Sequence, residues 1–72
     1  MDNKIDAHLG RRLRSRRQLL GLTQGQIGGA IGVRAQQIQR YECGANKMSA
    51  VTLWKLAQAL DVSLDYFFDD LK

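Results

Sequence analysis

The sequence predicts an all-α domain of five helices, and three observations support this expectation. The 72 residues contain no proline, the residue that most strongly interrupts a helix. Apolar side chains recur at the three- and four-residue intervals that place them on one face of a helix. Glycine, serine and threonine residues fall between the apolar segments, where helix ends are expected. A chain of this length forms one domain, so residues 1–72 are expected to fold together.

The first predicted helix covers residues 7–20, with Asp6 as its N-cap and Gly21 as its C′ residue. Residues 1–5 precede it and are expected to form a flexible arm. On a helical wheel, the inner face of this helix consists of Leu9, Leu13, Arg17 and Leu20.

The second predicted helix starts at Thr23, which forms a T-x-x-Q capping box with Gln26, and it ends at Gly32. It contains Gly25, Gly28 and Gly29, and each glycine costs roughly 1 kcal/mol of helix stability relative to alanine. Tertiary packing must therefore keep this segment helical. Gly28 is the position where we expect the backbone of a neighbouring helix to approach closely.

The third predicted helix runs from Arg34 or Ala35 to Glu42 or Cys43, with Gly44 as its C′ residue. Arg34 stands where a serine or aspartate cap would stabilise the start by roughly 1 kcal/mol. One side of the helix carries Ile38, Tyr41 and Glu42, and the opposite side carries Gln36 and Arg40.

Ser49 is expected to cap a fourth helix over residues 50–60, and Ser63 a short fifth helix over residues 64–68. Residues 69–72 form a polar end. The inner face of the fourth helix is predicted to consist of Leu53, Leu56, Ala57 and Leu60. The aromatic residues of this half, from Trp54 to Phe68, exceed what one small core needs, which indicates a dimer surface.

The charge of the chain is unevenly distributed. Its net charge is +4, but residues 1–47 contain nine Lys and Arg against three Asp and Glu, whereas residues 48–72 contain two against four. A basic half joined to an acidic half indicates that a polyanion such as nucleic acid docks on one side. The alternative is an ordinary solvated charged surface.

The sequence disfavours several classes of protein. No apolar run approaches the roughly 18 residues of a membrane span, and the single cysteine fits a reducing cytoplasm. We find no carboxylate pair, metal-ligand cluster, phosphate loop or activated nucleophile, so no enzyme, cofactor or small-molecule ligand is expected. His8 is interpreted as a surface residue, and Cys43 as a helix-end residue with redox sensing as the alternative.

Four motifs carry a family resemblance: L-T-Q at residues 22–24, G-V at 32–33, I-Q-R-Y-E-x-G at 38–44, and L-W-K-L-A-Q-A-L-D-V-S-L-D-Y-F-F at 53–68. With these motifs the chain resembles the phage-repressor/Cro-like (XRE) family of helix-turn-helix proteins. The resemblance implies a five-helix, lambda-repressor-like bundle that binds double-stranded operator DNA as a homodimer. We therefore expect a cytoplasmic transcriptional regulator, a repressor. The alternative is an antitoxin-like protein-interaction module whose DNA binding is secondary.

The third helix is the expected reading helix, because an α-helix fits the major groove of DNA. Gln36 and Arg40 are outermost on the wheel and are predicted to read bases, since glutamine matches adenine and arginine matches guanine. Ala35 resembles a family position that touches bases, and Gln37 is predicted to be a secondary reader. The role of Gln39 stays open, and the alternative for all these amides is a solvated surface.

Four residues are predicted to contact phosphates: Gln24, Arg34, Asn46 and Lys47. Gln24 opens the second helix, where free N–H groups attract anions, and the resemblance implies the same role. The other three lie at the ends of the reading helix, and the alternative for Lys47 is an ordinary loop lysine. Such contacts set affinity and register rather than sequence preference.

Arg17 and Glu42 each lie on the apolar inner face of a helix, where a charge is costly unless it is paired. We predict that they pair with each other and tie the first helix to the end of the reading helix, and the resemblance points to the same pair. The neighbouring arginines of residues 11–16 are instead expected to form a solvated face near the DNA backbone.

Overall fold

This computed structural model describes residues 4–71, which contain four α-helices and one 3-10 helix joined by short turns. Their bounds are α1 (Lys4–Leu19), α2 (Gln24–Ile31), α3 (Ala35–Glu42), α4 (Ala50–Leu60) and a final 3-10 helix (Leu64–Phe68). The predicted all-α class is confirmed, since these residues contain no strand. The predicted count of five α-helices is wrong, because the fifth segment adopts the tighter 3-10 form. No helix in this span is both long and apolar enough to cross a membrane.

Helix α1 begins earlier and ends sooner than predicted. It starts at Lys4, so Asp6 lies in the first turn and not at the N-cap, where its charge still complements the helix dipole. Residues 4 and 5 are therefore helical, whereas residues 1–3 of the predicted arm and residue 72 of the polar end lie outside the described residues. Leu20 lies beyond the last helical residue and is 42% exposed, so it does not belong to the inner face.

Most helix ends follow the predicted capping residues. Thr23 Oγ1 accepts a hydrogen bond from Gln26 N at 3.0 Å and Gln26 Oε1 accepts one from Thr23 N at 2.8 Å, which confirms the capping box. Ser49 Oγ accepts from Thr52 N at 3.1 Å. Ser63 makes no side-chain cap, contrary to prediction, because its backbone carbonyl takes the available N–H of the short 3-10 turn. Left-handed backbone angles confirm the three predicted stops, Gly21, Gly32 and Gly44.

The helices enclose one apolar core. Helix α1 packs against α3 and the 3-10 helix, and α2 packs against α3 and α4. The predicted inner face of α4 is confirmed, since all four of its side chains are buried. Full burial of a large apolar side chain contributes roughly 1.5–3 kcal/mol, so this core can hold the glycine-rich α2 helical. Its members are Leu9, Leu13, Ile27, Ile31, Ile38, Met48, Leu53, Leu56, Ala57, Leu60 and Phe67.

Two glycines allow backbones to approach each other. A Cβ atom on Gly28 would lie 2.6 Å from the carbonyl oxygen of Val33, which confirms the predicted close approach. The neighbour is the turn that follows α2, not a separate helix. Gly10, which the sequence pattern did not single out, lies where α1 crosses α3, and a Cβ there would overlap the carbonyl oxygens of Tyr41 and Glu42.

Two arginine side chains of α1 bind other elements, Arg12 the 3-10 helix and Arg16 the end of α4. Arg12 Nε donates to Tyr66 O at 2.9 Å, the Arg12 guanidinium lies 3.9 Å from the centre of the Tyr66 ring, and Tyr66 Oη donates back to Arg12 O at 2.9 Å. Arg16 Nε donates to Leu60 O, also at 2.9 Å. The prediction that these arginines form a solvated face is wrong, because carbonyl groups at helix ends need donors and these side chains supply them.

Candidate nucleic-acid interface

One face of α3 presents polar side chains to solvent at helical spacing. Gln36, Gln39 and Arg40 are exposed, whereas Ile38 on the opposite side is fully buried. Residues three and four apart lie on one helix face, so the three polar side chains project together. An open depression runs past them and is lined by Gln24, Ala35, Gln36, Gln39 and Arg40.

Two further residues of α3 were predicted to touch bases. Ala35 is half-buried and lines the depression, where its methyl group can face an incoming molecule. Gln37 is half-buried and does not line the depression, because it lies about 100° around the helix from Gln36. Gln39, whose role the sequence left open, takes the place beside Gln36 and Arg40.

A hydrogen-bonded group behind this face holds α3 in position. Arg17 donates from Nε and Nη2 to the two carboxylate oxygens of Glu42, at 2.5 and 2.9 Å. Arg17 Nη1 also donates to Leu22 O at 2.9 Å, and Gln24 Nε2 donates to Glu42 Oε1 at 3.1 Å. The side chains of Arg17 and Glu42 are only 12% and 5% exposed. The predicted pairing of Arg17 with Glu42 is therefore confirmed, and together with Gln24 it ties α1, α2 and α3 at one point.

The hydrogen bond to Glu42 raises the pKa of the Arg17 guanidinium, and it outweighs the opposing effect of burial. Arg17 therefore stays charged at any physiological pH. Gln24 uses its amide nitrogen in this group, but a primary amide has two N–H donors. One donor of Gln24 thus remains for the predicted phosphate contact.

The two predicted phosphate contacts Arg34 and Lys47 are both exposed. Arg34 occupies the N-cap position of α3 with extended backbone and without a side-chain cap, as the sequence indicated. The first N–H groups of α3 are therefore uncapped beside an exposed guanidinium. Both features favour an anion at this end of the helix.

Asn46, the remaining predicted phosphate contact, lies against Arg40. Arg40 Nε donates to Asn46 Oδ1 at 2.5 Å. The turn after α3 makes this possible, because Ala45 N donates to Arg40 O at 2.9 Å and folds the chain back. No sequence signal marks this contact, since the two residues belong to no shared helix.

The other basic residues of α1 divide into two groups. Arg12 binds the 3-10 helix and Arg16 binds the end of α4, as described above. Arg11 and Arg14 are exposed, and Arg14 lines a second depression that also reaches the α3 face. That depression is lined by Arg14, Arg17, Gln24, Gln39, Glu42 and Cys43.

The residues singled out for other chemistry have structural surroundings. His8 Nε2 lies 2.9 Å from the backbone oxygen of Asp69, the residue that follows the 3-10 helix. The ring therefore joins α1 to this end of the chain and is not a free surface group. Cys43 is an exposed free thiol at the end of α3. Among residues 4–71 no three His, Cys, Asp or Glu side chains cluster in a way that could hold a metal ion.

Comparison with known proteins identifies the family. A family model described as helix-turn-helix matches residues 13–67. The chain belongs to this helix-turn-helix family. The match spans the same part of the chain as the motif-based resemblance, and structural similarity to a phage repressor confirms that resemblance.

The relatives of this helix-turn-helix chain include longer proteins. One, named an uncharacterized transcriptional regulator in the ATPase CF(0) region of Rhodospirillum rubrum, is 52% identical over 68 residues, which cover 94% of this chain and 63% of that protein. The chain spans about half the length of other curated relatives that it matches.

Two solved structures share the arrangement of helices. The restriction-modification controller protein C.AhdI from Aeromonas hydrophila has a TM-score of 0.83 and 32% identity, with coverage of 88% of this chain and 96% of that one. The P22 c2 repressor, solved with a synthetic operator, has a TM-score of 0.77 and 32% identity, with coverage of 82% and 89%.

Proposed function

We propose that this helix-turn-helix domain binds double-stranded DNA in a sequence-specific manner and belongs to a transcriptional regulator. The observation that carries the proposal is the exposed row Gln36, Gln39 and Arg40 on a helix whose opposite side is buried in the core. An α-helix of this kind fits the major groove, where amide groups match adenine and a guanidinium matches guanine. Ala35 and Gln37, at the start of the same helix, are further candidates for base contact.

The residues around the two ends of α3 are suited to the sugar-phosphate backbone. Arg34 and Gln24 lie near its start, and Asn46 and Lys47 lie beyond its end. Contacts of this type supply sequence-independent affinity and set the register of the reading helix. They would hold α3 in the groove at both ends.

Similarity to a repressor solved with operator DNA, at 32% identity, supports repression as the regulatory outcome. A protein of this kind would work in the cytoplasm, and catalysis is not part of its role. The named function of the Rhodospirillum relative, a transcriptional regulator, points in the same direction.

The proposal includes a homodimer that binds a two-fold related operator. Two apolar side chains on one face of α4 are strongly exposed, Val51 at 63% and Trp54 at 57%. Leu64 and Phe68 of the 3-10 helix are each 42% exposed. Aromatic side chains such as Trp54 and Phe68 are enriched at protein–protein interfaces. Two copies would place their α3 helices in half-sites about 34 Å apart.

The proposed function is tested by selecting bound duplexes from a random DNA pool and measuring affinity for the selected duplex at several salt concentrations. We expect a two-fold symmetric site, and an affinity that falls roughly a thousandfold or more between 50 and 200 mM salt if about six phosphates are contacted. A pool that yields no preferred sequence, or an affinity that salt barely changes, would refute sequence-specific DNA binding by this domain.

A further inference from the structure

We propose that Asn46 is a positioning residue that aims Arg40 at its base, so that Asn46 controls sequence preference and not only general affinity. The inference rests on the proposed function, because it assigns a role within the same DNA-reading face. It changes the role predicted for Asn46 from the sequence, where it was assigned to phosphate alone.

The contact that carries the inference joins Arg40 Nε to Asn46 Oδ1 at 2.5 Å. Arg40 is exposed, and an exposed arginine on its own samples many side-chain conformations. A guanidinium is planar and rigid, so a partner on Nε orients the whole group. The bond therefore selects one orientation before any DNA arrives, which reduces the entropy lost on binding.

The free part of the Arg40 guanidinium is the part that reads guanine. No residue within 4–71 makes a hydrogen bond or ion pair to either Nη group of Arg40. Two parallel N–H donors match guanine O6 and N7, and the Nη groups can supply that pair end-on while Nε stays bound to Asn46. The reading group and its support thus use different atoms.

Asn46 is held firmly enough to orient its partner. Gly44 N donates to Tyr41 O at 3.1 Å and Ala45 N donates to Arg40 O at 2.9 Å, which closes the turn after α3. Gly44 has a φ of 77° and is buried against Ala7 of α1. The turn is therefore packed on the body of the domain, and Asn46, which is half-buried, lies at a defined distance from the helix end.

The test measures base preference in chains of residues 1–72 that carry substitutions at residues 40 and 46. Arg40→Ala identifies the guanine that depends on Arg40, as the operator position at which preference is lost. At that position the affinity ratio between the preferred base and the others is measured for Asn46→Ala, Asn46→Asp and the double variant. Lys47→Ala is the matched control, since it changes a neighbouring exposed residue of the same loop.

We expect Asn46→Ala to lower the ratio about three- to tenfold, the effect of losing one ordinary hydrogen bond. Asn46→Asp keeps the acceptor oxygen, so its ratio should stay within about twofold of the parent, although its added negative charge weakens binding to every duplex. Lys47→Ala should weaken all duplexes alike and leave the ratio unchanged. In the Arg40→Ala background, Asn46→Ala should change the ratio no further.

Three results would overturn the inference. An unchanged ratio in Asn46→Ala, with all duplexes weakened equally, would make Asn46 a phosphate contact only. A higher ratio would mean that the bond holds Arg40 away from DNA. A further fall of the ratio in the double variant would mean that Asn46 acts independently of Arg40. In each case the parent chain still selects a preferred duplex, which separates this failure from a failure of the proposed function. Thermal melting of each variant verifies that the fold is intact.

Discussion

At the scale of single residues, the buried carboxylate of Glu42 determines how the reading helix is held. It accepts hydrogen bonds from Arg17 and Gln24, which come from two other helices. Its side chain is 5% exposed, so water cannot replace a lost partner. A buried pair of this kind contributes little net stability as a pair, but the loss of one partner leaves a charge without compensation.

Glu42→Ala is therefore expected to lower the free energy of unfolding by about 3 kcal/mol. For a domain of this size that corresponds to a fall in melting temperature of more than about 10 °C, which thermal denaturation followed by circular dichroism can measure. Glu42→Gln keeps the shape but also removes the charge that compensates Arg17, so it should remain destabilising and separates loss of the charge from loss of side-chain volume. Equal melting temperatures for the parent and Glu42→Ala would show that the pair has no structural role.

At the scale of elements, the unit of two helices and a turn depends on one close backbone contact. Helix α2 contains adjacent glycines with different surroundings. Gly28 faces the Val33 carbonyl oxygen, which a Cβ atom would approach to 2.6 Å, whereas nothing lies within 4 Å of the corresponding position on Gly29. The contact sets how sharply the chain turns from α2 into α3, and hence how the reading helix is presented.

Alanine substitution at these two glycines should have opposite effects. Gly29→Ala should stabilise the domain by roughly 0.5–1 kcal/mol, because alanine favours the helix and open space receives its methyl group. Gly28→Ala gains the same helix propensity but displaces the turn, so we expect a net loss of about 2 kcal/mol. Urea denaturation measures the free energy of unfolding of both variants. Because both replace glycine by alanine in α2, the contribution of helix propensity cancels in the difference between them. Similar stabilities for the two variants would contradict the close approach.

At the scale of the whole molecule, most of the exposed cations and the exposed aromatic side chains lie in different parts of the chain. The exposed cations Arg14, Arg34, Arg40 and Lys47 belong to the basic part of the chain, residues 1–47. The acidic part, residues 48–72, contains the exposed side chains of Trp54 and Phe68. A dimer formed through the acidic part would leave the basic surfaces of both copies free for one DNA duplex.

Trp54→Ser is expected to raise the dissociation constant of the proposed dimer at least about tenfold, since a large aromatic residue at an interface contributes strongly to association. Because Trp54 is 57% exposed, the monomer should stay folded. Sedimentation at several protein concentrations provides the measurement. The control is Leu19→Ser, which removes an apolar side chain that is 75% exposed on α1. Equal association of the two variants would exclude Trp54 from the dimer surface.

Much of the fold was predictable from sequence because the signals are local. Helical spacing located the four α-helices, and apolar periodicity identified the inner face of α4. Neighbouring residues predicted the Thr23 capping box and the helix end at Gly32. Arg17 and Glu42 could also be identified as a pair, because each was a charge on an otherwise apolar face, where an unpaired charge is costly. Helix α1 was placed less well at its ends, since nothing local opposes a helical start at Lys4.

The sequence by itself determined the all-α class and the family, because periodicity, capping and motifs are properties of neighbouring positions. The tertiary structure alone decided three other points. Arg12 binds the 3-10 helix and Arg16 the end of α4, the last helix is 3-10, and Asn46 accepts a hydrogen bond from Arg40. Each depends on which donor meets which acceptor after the chain has folded, and hydrogen bonds between separate elements leave no periodic trace in a sequence.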